Sequence, residues 1–152
     1  MGKDAMSEAN MWQNMRVKMG KPKHWLEATR HEDKLQSGIS DVSFITRKGI
    51  HGWMELKHLK EYPKRESTII RIEHYTPEQR QFLRRKGKRG GYTFLFVQIE
   101  RDYYLFDWHA AQNVGYLTRV GMVDAACGFW TGRMDWRDLG RKLDNCGWNM
   151  KI

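Results

Sequence analysis

The stretch Gly38-Ile39-Ser40-Asp41-Val42-Ser43-Phe44-Ile45-Thr46-Arg47-Lys48-Gly49-Ile50-His51-Gly52-Trp53-Met54-Glu55-Leu56-Lys57-His58 decides the fold. Residues 39–46 and 53–58 are rich in β-prone side chains with partial alternation, and each run predicts a strand. The segment 47–52 between them is short and polar and contains two glycines. It predicts a turn, so the two strands form a hairpin.

The second strand of this hairpin carries an acid and a base at alternate positions. Side chains on a strand alternate between its faces, so Glu55 and Lys57 point to one side while Met54 and Leu56 point to the other. If Met54 and Leu56 are buried, the carboxylate and the ammonium group lie side by side. The hairpin can bring Asp41 near the same face.

The remaining elements place this hairpin in a mixed α/β sandwich around a small sheet. Ser7 can cap a helix that runs to about Met19. Thr76 and Pro77 begin a second helix that ends near Lys86, after a charged loop over residues 60–75. Residues 92–99 and 103–107 predict two further strands. Two tail helices follow, one capped by Thr118 that buries Val120, Val123 and Cys127, the other capped by Asp135 that buries Trp136, Leu139 and Leu143.

Composition favours an intracellular protein with a polyanionic partner. The 152 residues suit a single domain, 1–152, and a net charge of +9 from 27 Lys and Arg against 18 Asp and Glu favours nucleic acid over a membrane. No apolar run reaches the roughly 20 residues of a membrane span, and no signal peptide is evident, which predicts a soluble, cytoplasmic protein. Cys127 and Cys146 have no Cys or His neighbours in the sequence at the spacing of a zinc site, and both are interpreted as reduced thiols.

Asp41, Glu55 and Lys57 are the residue types that phosphodiester hydrolysis needs. Two carboxylates hold Mg²⁺ or Mn²⁺ through oxygen, helped by a backbone carbonyl, here that of Leu56. The metal polarises the phosphate and activates water, and a lysine orients that water or stabilises the developing charge. The alternative is that Asp41 is a turn residue and that Glu55 and Lys57 lie on a solvated strand face, because a bare D…ExK pattern often arises by chance.

Two inward-facing polar residues support the functional interpretation. Glu8 shares a helix face with Met11, Met15 and Met19, where an unpaired carboxylate is costly. It is a candidate third acid of the site, or it only stabilises the helix N-terminus. Gln79 lies on the buried side of the second helix and needs partners. The active site can supply them, and a structural hydrogen bond is the alternative.

Basic residues cluster around the same region and suit phosphate contacts, which position DNA without reading its sequence. Each cluster could also be an ordinary solvated surface. They lie at the hairpin tip, after the Glu55 strand and at the end of the second helix: Arg47, Lys48; Lys60, Lys64, Arg65; Arg84, Arg85, Lys86, Lys88, Arg89.

With these residues in view, the chain resembles the PD-(D/E)xK nuclease superfamily, and within it the small phage VRR-NUC and Holliday-junction-resolvase-like endonucleases. The resemblance runs from Ser7 to about Asp107, with a helical extension over about 108–152, and rests on Arg30-His31-Glu32, on Gly38 to Asp41, on Gly52 to Lys57 and on Thr76 to Gln79. It implies a restriction-endonuclease-like fold, a central mixed β-sheet flanked by helices, with extra C-terminal helices.

The resemblance also implies a role for each matching residue. Asp41 and Glu55 correspond to the metal ligands, Lys57 to the catalytic lysine, Glu8 to the acid of the N-terminal helix, Gln79 to the motif glutamine, and Arg30 to a basic residue that approaches the phosphate. Ser40 departs from the proline of the family name, at a position that shapes the turn. Glu32 remains a rival to Glu8.

Together with the resemblance, these observations predict a Mg²⁺- or Mn²⁺-dependent endonuclease that cuts branched DNA, with flap or fork DNA as an alternative to a four-way junction. It is expected to act in the host cytoplasm if it is encoded by a phage, and to have no membrane partner. A less structure-selective nuclease or nickase would share the same catalytic core. A non-catalytic nucleic-acid-binding protein on a degenerate nuclease fold, or a structural virion protein, are alternatives of other classes. The tail helices could form a homodimer surface.

Overall fold

The computed structural model describes residues 2–19, 26–31 and 40–149, with side chains described between residues 8 and 145 of those ranges. The described ranges form an α/β fold in which helices flank a mixed sheet, as predicted. The elements, in chain order, are α1 (Gly2–Met19), β1 (Leu26–Arg30), β2 (Val42–Thr46), β3 (His51–Leu59), α2 (Pro77–Lys88), β4 (Tyr92–Ile99), β5 (Asp102–Asp107), α3 (Trp108–Ala111), α4 (Arg119–Ala125), β6 (Gly128–Thr131) and α5 (Trp136–Asn149).

The strands of the sheet are ordered β1-β2-β3-β4-β5-β6. Strands β2 and β3 pair antiparallel, which confirms the predicted hairpin. Strands β3 and β4 pair in parallel over eight residue pairs, from Gly52 opposite Tyr92 to Leu59 opposite Ile99. A parallel pair needs a crossover connection, and the loop after β3 together with α2 provides it.

The two faces of the sheet carry separate hydrophobic cores. We call them the α1 face, which includes Met54, Leu56 and Phe96 beneath α1 and α5, and the α2 face, which includes Trp53 and Leu95 beneath α2, α3 and α4. Strands β3 and β4 are covered on both faces. Glu55 and Lys57 alternate with Met54 and Leu56 along β3, so they point to the α2 face.

Several local predictions are confirmed. Met11, Met15 and Met19 are buried, as the helical stripe predicted. Thr76 caps α2, with Pro77 in the first turn. Thr118 caps α4, and the Asp135 carboxylate accepts a hydrogen bond from the Asp138 N–H at the start of α5, whose Leu139 and Leu143 are buried.

Other local predictions are wrong, most of them in the tail. Helix α1 begins at Gly2, so Ser7 lies inside it and does not cap it. Helix α4 buries Met122, whereas Val120 and Val123 are 65% and 40% exposed. Cys127 lies beyond the end of α4 and is only half-buried, and β6 follows it where a continuous helix was expected.

Strands β1 and β6 and the short helix α3 were not predicted. Strand β1 contains Glu27 and Arg30 and forms one edge of the sheet, paired to β2, while the four-residue β6 forms the other edge. Edge strands are exposed on one side and need little apolar sequence, so their composition gives a weak signal. Among the described residues, no helix is long and apolar enough to cross a membrane.

Gly52 shows why the hairpin strand needs a glycine. A Cβ atom at this buried position would lie 2.4 Å from the Phe44 ring and 2.5 Å from the Tyr92 carbonyl oxygen. The missing side chain lets Phe44 pack across β3 and lets β4 pair closely. This packing holds β2, β3 and β4 in the register that carries the site described next.

Candidate active site

The centre of the candidate site is a buried acid–base pair on β3. The Lys57 Nζ lies 3.3 Å from Glu55 Oε2, and the two side chains are 4% and 0% exposed. Their neighbours on β4 are Leu95 and Val97, which are fully buried and apolar. The predicted side-by-side arrangement is therefore present, and the alternative of a solvated strand face is wrong.

Asp41 lies at the edge of this pair, immediately before β2 begins. Its Oδ2 accepts a hydrogen bond from the Leu56 N–H at 3.0 Å. The last residue pair of the β2–β3 pairing is Val42 opposite Met54. Beyond it, the Asp41 carboxylate accepts the bond from the Leu56 N–H that a backbone carbonyl would accept if β2 continued. The N–H and C=O of one strand residue point to the same side. The Leu56 carbonyl is therefore directed to the side of β3 on which Asp41 lies.

Glu8, whose helix packs on the α1 face, contacts His74 in the loop before α2. Its Oε2 lies 2.9 Å from His74 Nε2, with side chains 16% and 31% exposed. His74 directly precedes Tyr75 and the Thr76 cap, so the contact ties α1 to the start of α2. Within the described residues, no three His, Cys, Asp or Glu side chains are grouped as metal ligands. Glu8 is thus not grouped with Asp41 and Glu55, and its rival Glu32 lies outside the described residues.

Gln79 takes part in a local capping box. Its Oε1 accepts a hydrogen bond from the Thr76 N–H at 3.0 Å, and its own N–H donates to Thr76 Oγ1 at 3.2 Å. These two bonds satisfy orphan donors at the start of α2. The structural role that was left open for this glutamine is therefore present, and a catalytic role remains a prediction.

Tyr75 lies within electrostatic range of Glu55 on the α2 face. It is 4% exposed, and its hydroxyl donates to the Ala111 carbonyl at 3.1 Å. Burial raises the pKa of this hydroxyl, the Arg80 guanidinium opposes the shift, and the Glu55 charge adds to it. The Arg80 guanidinium stacks 4.3 Å from the Tyr75 ring centre and donates to the same carbonyl, so it holds the Tyr75 side chain in place.

A second buried carboxylate contrasts with Glu55. Asp102, at the start of β5 and 6% exposed, accepts hydrogen bonds from the Tyr62 and Thr131 hydroxyls and from the Arg119 guanidinium, which also forms a salt bridge with it. Burial and the bond to Asp102 raise the pKa of the Tyr62 hydroxyl. This network fastens the loop after β3 to the sheet, which explains the burial of Asp102 without any reaction.

Of the predicted DNA-binding residues, Lys86 lines an open cavity on the α2 face, and the cations of the β2–β3 turn lie in the chain between two other lining residues, Ile45 and His51. The cavity measures about 420 Å³, and its lining includes Ser43, Trp53 and Lys86. The β2–β3 turn carries two exposed cations, and the outer side and end of α2 carry more: Arg47, Lys48; Arg84, Arg85, Lys86, Lys88, Arg89. Lys60 is exposed just after β3.

Arg30 lies away from this cavity. On β1 it alternates with Thr29 and shares the α1 face with Leu26 and Ala28, opposite to Glu55 and Lys57. A contact between Arg30 and a phosphate held at Glu55 is therefore not supported by the strand register.

The residue that lies where Arg30 was expected is its neighbour His31. His31 Nε2 lies 2.8 Å from Ser43 Oγ, and its ring centre lies 5.2 Å from that of Trp53. Its N–H donates to the Asp41 carbonyl at 2.7 Å, which places it one strand away from the candidate metal ligands. The alternation of side chains along β1 would have shown that His31 and Arg30 point to opposite faces, but β1 itself was not predicted.

Comparison with models of protein families finds no match, and comparison with curated proteins finds no match either.

Proposed function

We propose that the protein is a divalent-metal-dependent endodeoxyribonuclease. The observation that carries the proposal is the fully buried Glu55–Lys57 ion pair beside Asp41. Removing both charges from water costs several kcal/mol per ion, and the attraction between them rarely gives more than it costs. Stability therefore does not explain the pair, whereas a hydrolytic site needs both an anionic ligand and a cation.

The residues present fit Mg²⁺ or Mn²⁺. The Asp41 and Glu55 carboxylates and the Leu56 carbonyl are oxygen donors, which these hard cations prefer, and Mg²⁺ commonly keeps several waters and takes one or two carboxylates. When bound, the ion would polarise the scissile phosphate and lower the pKa of a bound water.

The protein groups would then do the following work. Asp41 and Glu55 hold the cation, with Asp41 oriented by its bond from the Leu56 N–H. Lys57 keeps its ammonium group beside Glu55, where it can orient the attacking water and stabilise charge on the phosphate. Apolar Leu95 and Val97 keep bulk water away from one side of the pair and so strengthen these interactions.

The cavity on the α2 face lies beside this site and offers a surface for DNA. Trp53, which lines the cavity, is two residues before Glu55 on the same face of β3, and among the described residues the acid pair itself is not part of the lining. The cations of the β2–β3 turn and of α2 suit contacts with the phosphates of a duplex. We propose branched DNA as the preferred substrate, acted on in the cytoplasm, with a structure-nonselective nuclease as the nearest alternative.

One observation favours a second candidate, a DNA-binding protein without catalysis. Among the described side chains, Glu8 contacts His74 and no third acid joins Asp41 and Glu55. A degenerate nuclease fold would look like this if its metal site were lost. The experiment below separates the two.

The test is cleavage of labelled four-way junction, flap, linear duplex and single-stranded DNA with Mg²⁺ or Mn²⁺. We expect the wild-type protein to cut the branched DNA substrates. The variants Asp41→Asn and Lys57→Ala should still bind DNA but should not cut it. Arg71→Glu is a control, since Arg71 is exposed and outside the site. Binding without cutting by wild type, under every metal, would instead establish the non-catalytic protein.

A further inference from the structure

A second cavity lies on the α1 face, opposite to the candidate active site. It measures about 350 Å³ and is formed where α1, β5 and the β6–α5 turn meet. Its lining includes Lys18, Tyr103, Arg133 and Trp136. Tyr103 and Trp136 belong to the hydrophobic core beneath α1 and α5, which places this cavity on the other side of the sheet from Glu55.

The lining combines aromatic rings with exposed cations. The rings of Tyr103 and Trp136 meet at 67° with centres 6.3 Å apart, and both side chains are half-buried. Lys18 and Arg133 are exposed at the rim, and the amide of Asn14 is exposed there too. The Tyr103 hydroxyl, like any tyrosine hydroxyl at neutral pH, is protonated and can donate a hydrogen bond, and burial raises its pKa further.

This combination matches the chemistry of a nucleotide. Bases stack on aromatic side chains, phosphates bind Lys and Arg, and an amide can hydrogen-bond a base edge. The size of the cavity is at the lower end of small-ligand sites. A base of an intact duplex is stacked inside the helix and cannot enter such a recess, so the fitting ligand is an unpaired nucleotide.

We propose that this cavity binds unpaired nucleotides of a DNA strand, with bases against Tyr103 and Trp136 and phosphates at Lys18 and Arg133. The inference rests on the proposed function for the choice of DNA and deepens it. DNA held at the active site on the α2 face and an unpaired strand held on the α1 face cannot belong to one straight duplex. Flap or fork DNA satisfies both contacts, and the cavity therefore selects a branched substrate that has a single-stranded arm.

The location of binding can be tested by photocrosslinking. A short oligothymidylate carrying 5-iodouracil would be irradiated with the wild-type protein without metal, and the crosslinked peptides identified by mass spectrometry. We expect crosslinks at Tyr103 or Trp136. Arg133→Glu should abolish them, whereas Arg71→Glu, which changes the net charge equally at another exposed site, should preserve them.

Affinity gives a second measurement. Titration of the same oligonucleotide by fluorescence anisotropy should show weaker binding by Lys18→Glu and Arg133→Glu. For each variant, the slope of log K against log salt should become shallower by about 0.7, the value for one lost phosphate contact on a single strand. Cleavage of linear duplex should be unchanged in Arg133→Glu, while cleavage of flap DNA falls.

The outcomes separate this inference from the proposed function. Crosslinks confined to peptides that contain Trp53, or equal loss of affinity in Arg71→Glu, would overturn the second site even if the enzyme cuts DNA. Crosslinks at Tyr103 or Trp136 in a protein that cuts nothing would support the site and reject the nuclease. Wild type that does not bind the oligonucleotide would overturn the inference.

Discussion

Replacing Glu55 and Lys57 together by Leu and Met tests whether the buried pair serves function or stability. At the observed separation of 3.3 Å, and with an effective dielectric constant of about 20, the attraction between the charges is about 5 kcal/mol. Desolvation costs several kcal/mol for each ion and offsets this attraction. The double variant should therefore unfold with a free energy close to that of wild type, or higher by about 1–4 kcal/mol.

The single variants should behave differently. Lys57→Met leaves the Glu55 carboxylate against Leu95 and Val97 without its cation, and Glu55→Leu leaves the ammonium group without its anion. Each should lose about 3–5 kcal/mol. A domain of this size has roughly 5–15 kcal/mol in total, so both should remain folded enough to measure.

The assay is urea denaturation followed by far-ultraviolet circular dichroism at pH 7, with DNA cleavage measured on the same preparations. All three variants should be inactive, although only the single variants are unstable. A double variant that is as unstable as the single variants would refute the reasoning. The pair would then be a structural element, and the nuclease proposal would lose the observation that carries it.

Three further predictions concern the surroundings of the site. Gly52→Ala places a methyl group against the Phe44 ring and a backbone carbonyl. It should lower the free energy of unfolding by about 1–3 kcal/mol or more, measured by urea denaturation. An unchanged free energy of unfolding would argue against the close packing of Phe44 and β4 around Gly52. Tyr75→Phe removes a hydrogen bond to a carbonyl and should cost about 1 kcal/mol at pH 7. Because the folded-state pKa of Tyr75 is raised above its ordinary value of 10.0, the stabilisation by its protonated hydroxyl is complete below pH 10 and is lost above it, at up to about 1.4 kcal/mol per pH unit. In alkaline denaturation, the free energy of unfolding should therefore fall less steeply with pH in Tyr75→Phe than in wild type. Equal slopes for the two proteins would contradict this. Gln79→Glu keeps the capping box, while Gln79→Ala removes the side-chain acceptor of the Thr76 N–H and leaves the bond from the residue-79 N–H to Thr76 Oγ1. The first variant should retain stability and the second should lose about 0.5–1 kcal/mol. A catalytic glutamine would instead show as loss of cleavage in both variants.

Local sequence was enough for the features that depend on neighbouring residues. The alternation of Met54, Glu55, Leu56 and Lys57 required the acid and the base to share a face, whatever the strand packed against. Thr76 was recognisable, as were Thr118 and Asp135, because a cap bonds N–H groups within three residues, whereas the same signal at Ser7 was misleading because α1 begins before it. The methionine stripe of α1 followed in the same way from the helical period.

Contacts between distant segments decided the rest. Strand β1 exists because Leu26 to Arg30 pair with β2, and this pairing turns His31 toward Asp41 and Arg30 to the opposite face. The exposure of Val120 depends on how α4 lies over the sheet, which its own apolar sequence does not reveal.

The sequence by itself determined that Asp41, Glu55 and Lys57 could meet around a hairpin, and that an excess of positive charge surrounds them. Only the tertiary structure decided that the pair is buried beside Leu95 and Val97, that Asp41 binds the Leu56 N–H, and that Glu8 reaches His74. The physical reason is range. Alternation and capping act within a few residues, whereas burial and side-chain partners arise from packing between segments far apart in the chain.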